Sequence, residues 1–429
     1  MMCLFEKLFS TIKASDVLLL LMAFGLVVGS YMIIRGGPMG RSPLLCTVGV
    51  SDLHHVSMVP EDGLCVYLIF THYYHSSGDT FVDDHANKTR AFLQHAARSS
   101  GTTFGLSVTY RNVAAANRDV AGRHGQRKLR LYWSEKRIYH YGVLDAEYYG
   151  FPGNRTRQLQ LTFDLLKAFR KIQKSIEQHS SSGSGKHRGF VILGVTPWVR
   201  GGDDVFKELS EHMRSFSVDG LVLRTHLFEN DITSNFGTCQ LTPPTSYEKP
   251  QSDYLLGMAD MLRLYKKHRQ PSWRHNVMVS FTMALRWYKA STSLDMGAPC
   301  DETEGVAVRV IDATHACEVL PDYFANTMTD NHSQSMTAHG VDGTIAMYDD
   351  AHTIIHKMCA LSLDFPDVKT GAALFDIDFQ DWKGSCTRES QAALKGSRRL
   401  RDIRIHYRKA VSSSQLSGPT CSDFSTETR

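Results

Sequence analysis

Residues 348–386 open Tyr348-Asp349-Asp350 and continue through a segment with apolar positions at helical spacing across Lys357. They close Gly371-Ala372-Ala373-Leu374-Phe375-Asp376-Ile377-Asp378-Phe379-Gln380-Asp381-Trp382-Lys383-Gly384-Ser385-Cys386. Ala351–Leu363 therefore reads as a helix, and the short, mostly apolar run at Ala372–Phe379 as a buried strand. Working outward, the same pattern recurs seven more times, at Leu44–Val50, Cys65–Tyr73, Phe104–Tyr110, Tyr139–Glu147, Gly189–Pro197, Val218–Leu227 and Val277–Leu285. Helical periodicity lies between them, clearest in Leu159–Gln178, where Leu161, Leu165, Phe169 and Ile172 recur at spacings of four and three. Eight strands alternating with helices in one long domain predict a (β/α)8 TIM barrel over residues 44–410.

The stretch resembles the closing strand of family 18 glycoside hydrolases, the chitinases and chitinase-like proteins. There a Tyr-Asp-Asp turn, a helix carrying a Lys and a Gly-Ala-x-x-Trp-x-x-Asp-x-Asp-Asp strand end in Gly-Ser-Phe-Cys. The pattern is most similar to divergent arthropod members. The resemblance implies a small α+β insertion between strands seven and eight, here about residues 291–343, with Ala316-Cys317-Glu318-Val319-Leu320 as its Cys-bearing segment. It also implies two disulfides, Cys46–Cys65 joining the first two strands and Cys317–Cys386 tying the insertion to the last. It assigns no pairing to Cys239, Cys300, Cys359 and Cys421.

The family hydrolyses β-1,4 links beside N-acetylglucosamine with a Glu as acid and an Asp two residues earlier that orients the substrate's acetamido group. The substrate's own carbonyl is the nucleophile. Alternation along a strand puts Asp-x-Glu on one face, at the C-terminal mouth of the barrel. Two segments compete for this role, Tyr141–Tyr149 and Asp219–His226, and strand counting favours the first. Matched to the family, His140, Val143, Asp145 and Glu147 stand where it has Asp, Asp, Asp and Glu. Glu147 is then the catalytic acid and Asp145 its partner, with an apolar Val143 in place of the inner acid.

Other positions depart further. Ser107-Val108-Thr109-Tyr110-Arg111 replaces the family's Ser-x-Gly-Gly. His226 stands where a Tyr would meet the acetamido carbonyl, and Phe375 where a Trp would floor the sugar. Tyr348 and Trp198 are further candidates for sugar contact, as are Trp273 and Trp287, because flat aromatic faces pack on pyranose rings.

The composition excludes some classes. With 429 residues, 42% hydrophobic, 21% charged and a net charge of +4, the chain can bury a large core and carries no basic stripe for nucleic acid. Val17–Ile34 is an uncharged apolar run of about the minimum length for spanning a bilayer. It reads as one transmembrane signal-anchor, favoured over a cleaved signal peptide, after a short flank at 1–16. The bulk of the chain is then lumenal or extracellular, or the protein is secreted. Three sequons, at Asn87, Asn154 and Asn331, fit glycosylation there. So does an even eight cysteines once Cys3 is set aside. Residues 411–429, rich in Ser and Thr, read as a disordered tail.

No cofactor is implied. His72, His75, Asp83, Asp84 and His85 lack a ligand spacing and read as a polar loop, not a metal site. The expected function is a chitinase-like protein, weakly active or inactive, binding an N-acetylglucosamine glycan such as chitin, or an extracellular protein, at the barrel mouth. The alternative is an active chitinase using Glu147.

Overall fold

The computed structural model describes residues 39, 43–49, 56–74, 80–82, 87–147, 152–179, 187–196, 201–227, 239–248, 256–301, 308–320, 322–340, 342–412 and 421. Eight parallel strands close a barrel: β1 (Leu44–Val48), β2 (Tyr67–Tyr73), β3 (Thr103–Val108), β4 (Ile138–Glu147), β5 (Val191–Thr196), β6 (Gly220–Leu223), β7 (Asn276–Thr282) and, last in the chain, β13 (Thr370–Phe375), which lies between β7 and β1. Tyr139–Glu147 falls in the fourth strand and Val218–Leu227 in the sixth.

The core follows from alternation. On β4, Tyr141 and Val143 pack outward with helix residues such as Phe163 and Phe169, while Leu144 joins Ile192, Val222 and Phe375 inside the barrel. The surrounding helices are α1 (Asn87–Arg98), α2 (Val113–Ala121), α3 (Arg123–Lys136), α4 (Pro152–His179), α5 (Gly202–Ser215), α6 (Met258–His268), α7 (Ala313–Val319), α8 (Ala351–Asp364) and α9 (Arg398–Ser412). In α5 the buried Val205, Phe206, Leu209 and Met213 form one stripe, each large side chain contributing about 1.5–3 kcal/mol. Asp350 caps α8 by accepting from Thr353 N at 2.7 Å, which stops the preceding strand and starts the helix in one step.

The insertion is a five-stranded antiparallel sheet in the order β10 (Thr327–Thr329), β11 (Met336–His339), β12 (Thr344–Tyr348), β8 (Leu285–Lys289), β9 (Val308–Ile311), with α7 packed on it. It is wider than residues 291–343 because β8 starts directly after β7 and pairs with β12. Four disulfides are present: Cys46–Cys65, Cys317–Cys386, Cys239–Cys300 and Cys359–Cys421. The last bonds a residue of the expected tail to α8, and α9 itself runs through Ser412; residues 413–420 and 422–429 lie outside the described set.

The apolar segment 17–34 also lies outside the described residues; among those described, no helix is long and apolar enough to cross a membrane. The insertion is locked to the barrel by a buried network. Lys357 Nζ donates to Asp349 Oδ1 at 2.6 Å, Ser335 Oγ at 2.8 Å and Thr245 Oγ1 at 2.9 Å, with both charged side chains wholly buried.

Candidate functional site

The lower end of the barrel is filled. His140 stacks on Phe190 at 5.0 Å and lies edge-on to Tyr67, while Tyr67 Oη donates to Met39 O at 2.9 Å. Burial holds the His140 imidazole down at about 3, so it is neutral, and it lies away from the mouth. Any ligand-facing chemistry belongs at the opposite, C-terminal end, where the strands carry Thr47, Thr71, Ser107, Thr196, Ser280 and Thr282 as a layer of buried hydroxyls.

On β4 the ladder is irregular just before the end of the Asp-x-Glu segment. Val143 pairs with Leu193 but Ala146 with Val195, so one extra residue is bulged into β4 between them. Gly194 permits the bulge: a Cβ there would sit 2.3 Å from Leu144 O. Tyr141, Val143 and Ala146 all pack in the outer core while Leu144 faces into the barrel, so the alternation restarts past the bulge with Asp145 directly before the outward Ala146. Asp145 turns toward the end of β3, where its Oδ1 accepts from Tyr110 N at 2.9 Å. The Glu147 backbone pairs with Thr196, and the Glu147 side chain lies outside the described residues.

Across the barrel, Phe375 and His226 come together at 4.5 Å between ring centroids. Both are buried, at 2% and 0% exposure, so the floor of the mouth is closed over in this conformation. Ser280 Oγ accepts from Thr225 N at 2.8 Å and lies 2.7 Å from His226 Nδ1. Burial, with Arg224 and Arg286 adding to it, holds the His226 ring well below its ordinary range, so it is neutral.

The next residue along the last strand was not singled out from the sequence. Asp376 is held in the left-handed region at φ 58°, ψ 40°, uncommon for a residue other than glycine. Its Oδ2 accepts from Thr282 Oγ1 at 2.6 Å and its N–H donates to Thr47 Oγ1 at 3.3 Å, while Oδ1 has no partner among the described residues. Burial raises its carboxyl to about 7, opposed by the Thr282 bond and reinforced by Asp378; Arg286 and Arg224 act downward. Arg286, from β8, is 1% exposed. The usable signal was a charge set directly after an apolar strand run, as with Asp376 after Leu374-Phe375 and Arg224 after Val222-Leu223.

The remaining expected residues are dispersed. Tyr348 is buried in the core of the insertion, edge-on to Phe324. Trp273 is buried beside Tyr265 of α6, and Trp287 packs on the insertion core. Trp198 lies outside the described residues, as do the side chains of Asn87 and Asn154 and, of the polar loop group, all but His72; Asn331 is exposed in the β10–β11 turn.

No family model and no curated protein matches the sequence. Solved structures do match. Human YKL-39, described as a pseudo-chitinase with retained chitooligosaccharide-binding properties, aligns with a TM-score of 0.55 at 13% identity, covering 85% of this chain and 99% of that one. A mutant class V chitinase from Nicotiana tobaccum in complex with NAG4 gives 0.59 at 10% identity, covering 86% and 99%. Catalytic domain 2 of the Ostrinia furnacalis group II chitinase, a mutant in complex with (NAG)5, gives 0.59 at 14% identity, covering 86% and 97%. The closed eight-stranded barrel and these neighbours together give this chain the fold of the family 18 chitinases and chitinase-like proteins.

Proposed function

We propose that this protein is a chitinase-like member of family 18 that binds N-acetylglucosamine-containing glycan at its barrel mouth and hydrolyses it weakly or not at all. The observation that carries the reading is the engagement of Asp145 by the backbone at the end of β3. Substrate-assisted cleavage needs an Asp that orients the acetamido group beside the acid Glu147. Here Asp145 Oδ1 is turned to the Tyr110 amide at the end of β3, and the place of the family's inner acid is held by the apolar Val143, which packs outward. The closed Phe375–His226 floor supports the same conclusion, and the chitooligosaccharide-binding properties of YKL-39 support retained binding.

Phe375, His226 and Trp198 are the proposed sugar-contacting residues, with Asp145 and Glu147 as vestigial acids. The rival, an active hydrolase with Glu147 as acid, is favoured by the survival of both carboxyl residues on either side of the outward-packed Ala146. Four disulfides fit an oxidising compartment, so we place the protein outside the cytosol, secreted or anchored through residues 17–34 and glycosylated at exposed sequons. An extracellular protein is the alternative occupant of the mouth.

The test is to produce the full chain in a secretory host and assay it on chitin oligomers beside Glu147→Gln. Saturable binding with no turnover in either protein supports the proposal. Turnover in the parent that disappears in Glu147→Gln establishes the rival. Neither binding nor turnover leaves the protein partner.

A further inference from the structure

Two helices on the outside of the barrel carry the same pattern of charge. On α3, Arg123, Arg127 and Arg130 recur at spacings of four and three, and on α4 Lys167, Lys171 and Lys174 repeat it. Two hydrogen bonds set the register: Asn117 Nδ2 of α2 donates to Leu161 O at 3.4 Å and Arg130 Nη2 to Ser175 Oγ at 3.5 Å, pairs 44 and 45 residues apart. The two triads are separated by the same 44 residues, so this register sets them side by side. Each row is about 10 Å long at the helical rise of about 1.5 Å per residue.

Arg123, Arg127, Arg130, Lys171 and Lys174 are exposed and Lys167 is partly so. Among the described residues the only carboxylate in ion-pair range of the six is Asp164, 3.9 Å from Lys167. Cations on α6 are instead matched by acids: Lys267 by Asp203, Lys266 by Asp367 and Arg263 by Asp260. Like charges three and four apart on a helix repel, so folding itself does not call for either triad. Residues 87–137 hold eleven Lys and Arg against two Asp and Glu, an excess larger than the net +4 of the whole chain, which conceals it.

We propose that the α3–α4 face binds an anionic polysaccharide, one carrying sulfate or carboxylate groups along its length. Two parallel rows of guanidinium and ammonium groups suit a chain of repeated anionic groups lying along the helices. Tyr132 and Trp133, the large aromatic residues of α3, are buried, which removes the stacking platform that a single-stranded nucleic acid uses. The disulfides fit a compartment away from most nucleic acid. Leu131 is the only exposed large apolar side chain on α3, too little to insert into lipid. The face lies on the outer wall of the barrel, so the inference does not depend on glycan binding at the mouth.

The experiment is equilibrium titration of the full chain with a heparin decasaccharide at low and high salt. It compares the parent, the triple variant Arg123→Gln, Arg127→Gln, Arg130→Gln, and the pair Lys171→Gln, Lys174→Gln. A control triple, Lys207→Gln, Arg214→Gln, Arg263→Gln, removes the same charge from exposed positions on α5 and α6. Gln keeps helix propensity and relieves repulsion, so the α3 triple should unfold at the parent's temperature or above. The expected result is binding by the parent that weakens with salt, at least a tenfold loss in the α3 triple, a smaller loss in the α4 pair, and less than threefold in the control. Equal losses in the two triples reduce the binding to net charge and overturn the site. A parent that does not bind heparin, or that binds a DNA duplex or phosphatidylserine vesicles more tightly, overturns the polysaccharide assignment. Binding of chitin oligomers, measured alongside, should be the same in all four proteins; its loss in the α3 triple alone means a damaged barrel and contradicts the placement of the site on the outer wall.

Discussion

Replacing Lys357 with Met probes the stretch on which the fold depends. Lys357 and Asp349 are both fully buried and 2.6 Å apart. Burial pulls the lysine below its ordinary range, and Asp349 opposes the shift by favouring the charged form. Met keeps most of the apolar stem and removes the ammonium. Asp349 then remains buried with hydroxyl donors only, from Ser335 at 3.0 Å, Thr353 at 3.3 Å and Thr245.

Breaking a buried pair by removing one partner costs about 3–5 kcal/mol. The three hydroxyls offset part of this, which sets the expected loss near the lower end, about 3 kcal/mol. Combining Lys357→Met with Asp349→Asn removes the stranded charge, so the double variant should recover about half of that loss. Urea unfolding of the oxidised full-length chain, read by fluorescence, measures all three variants. A single-variant loss under about 1 kcal/mol, or a double variant that is simply additive, refutes the reasoning.

Other expectations follow from the same geometry. Asp376 titrates at about 7 in the folded chain against an ordinary 3.8. Between those values the folded state holds a proton that the unfolded state has lost, so this group's contribution falls as pH rises. Relative to the parent, Asp376→Asn should therefore gain roughly 3 kcal/mol between pH 4 and pH 7, seen as diverging denaturation midpoints; parallel pH profiles contradict it. Gly194→Ala drives a Cβ into Leu144 O and should cost about 1–3 kcal/mol in chemical denaturation, with no loss meaning that the bulge is not tightly packed. Replacing Cys317 and Cys386 by Ser opens a link spanning 69 residues and should cost roughly 4 kcal/mol, measured by the same unfolding.

Much of the barrel was legible because its strands are continuous apolar runs separated by helices, a pattern that one-dimensional periodicity captures. The family-implied disulfides likewise depend on cysteines at recognisable places. The insertion was legible only in part, because Met283-Ala284 joins β7 to β8 so closely that Val277–Leu285 reads as one strand. Pairing of β12 with β8 and β11 then carries Tyr348 into the insertion core. The bulge was invisible because it depends on Gly194 of a neighbouring strand meeting Leu144, a contact fixed by register and not by the β4 sequence. The polar cluster was missed for a similar reason: Arg224, Arg286 and Asp376 come from three separated segments, and only barrel closure brings them together.

The central claim is that the barrel mouth binds glycan without cleaving it. Titration of the full-length parent and Phe375→Ala with the tetramer of N-acetylglucosamine, followed by mass analysis of the recovered sugar, tests it most directly. The account predicts saturable binding to the parent, at least tenfold weaker binding to Phe375→Ala, and intact tetramer from both. No saturable binding to the parent, or tetramer converted to shorter sugars, contradicts it.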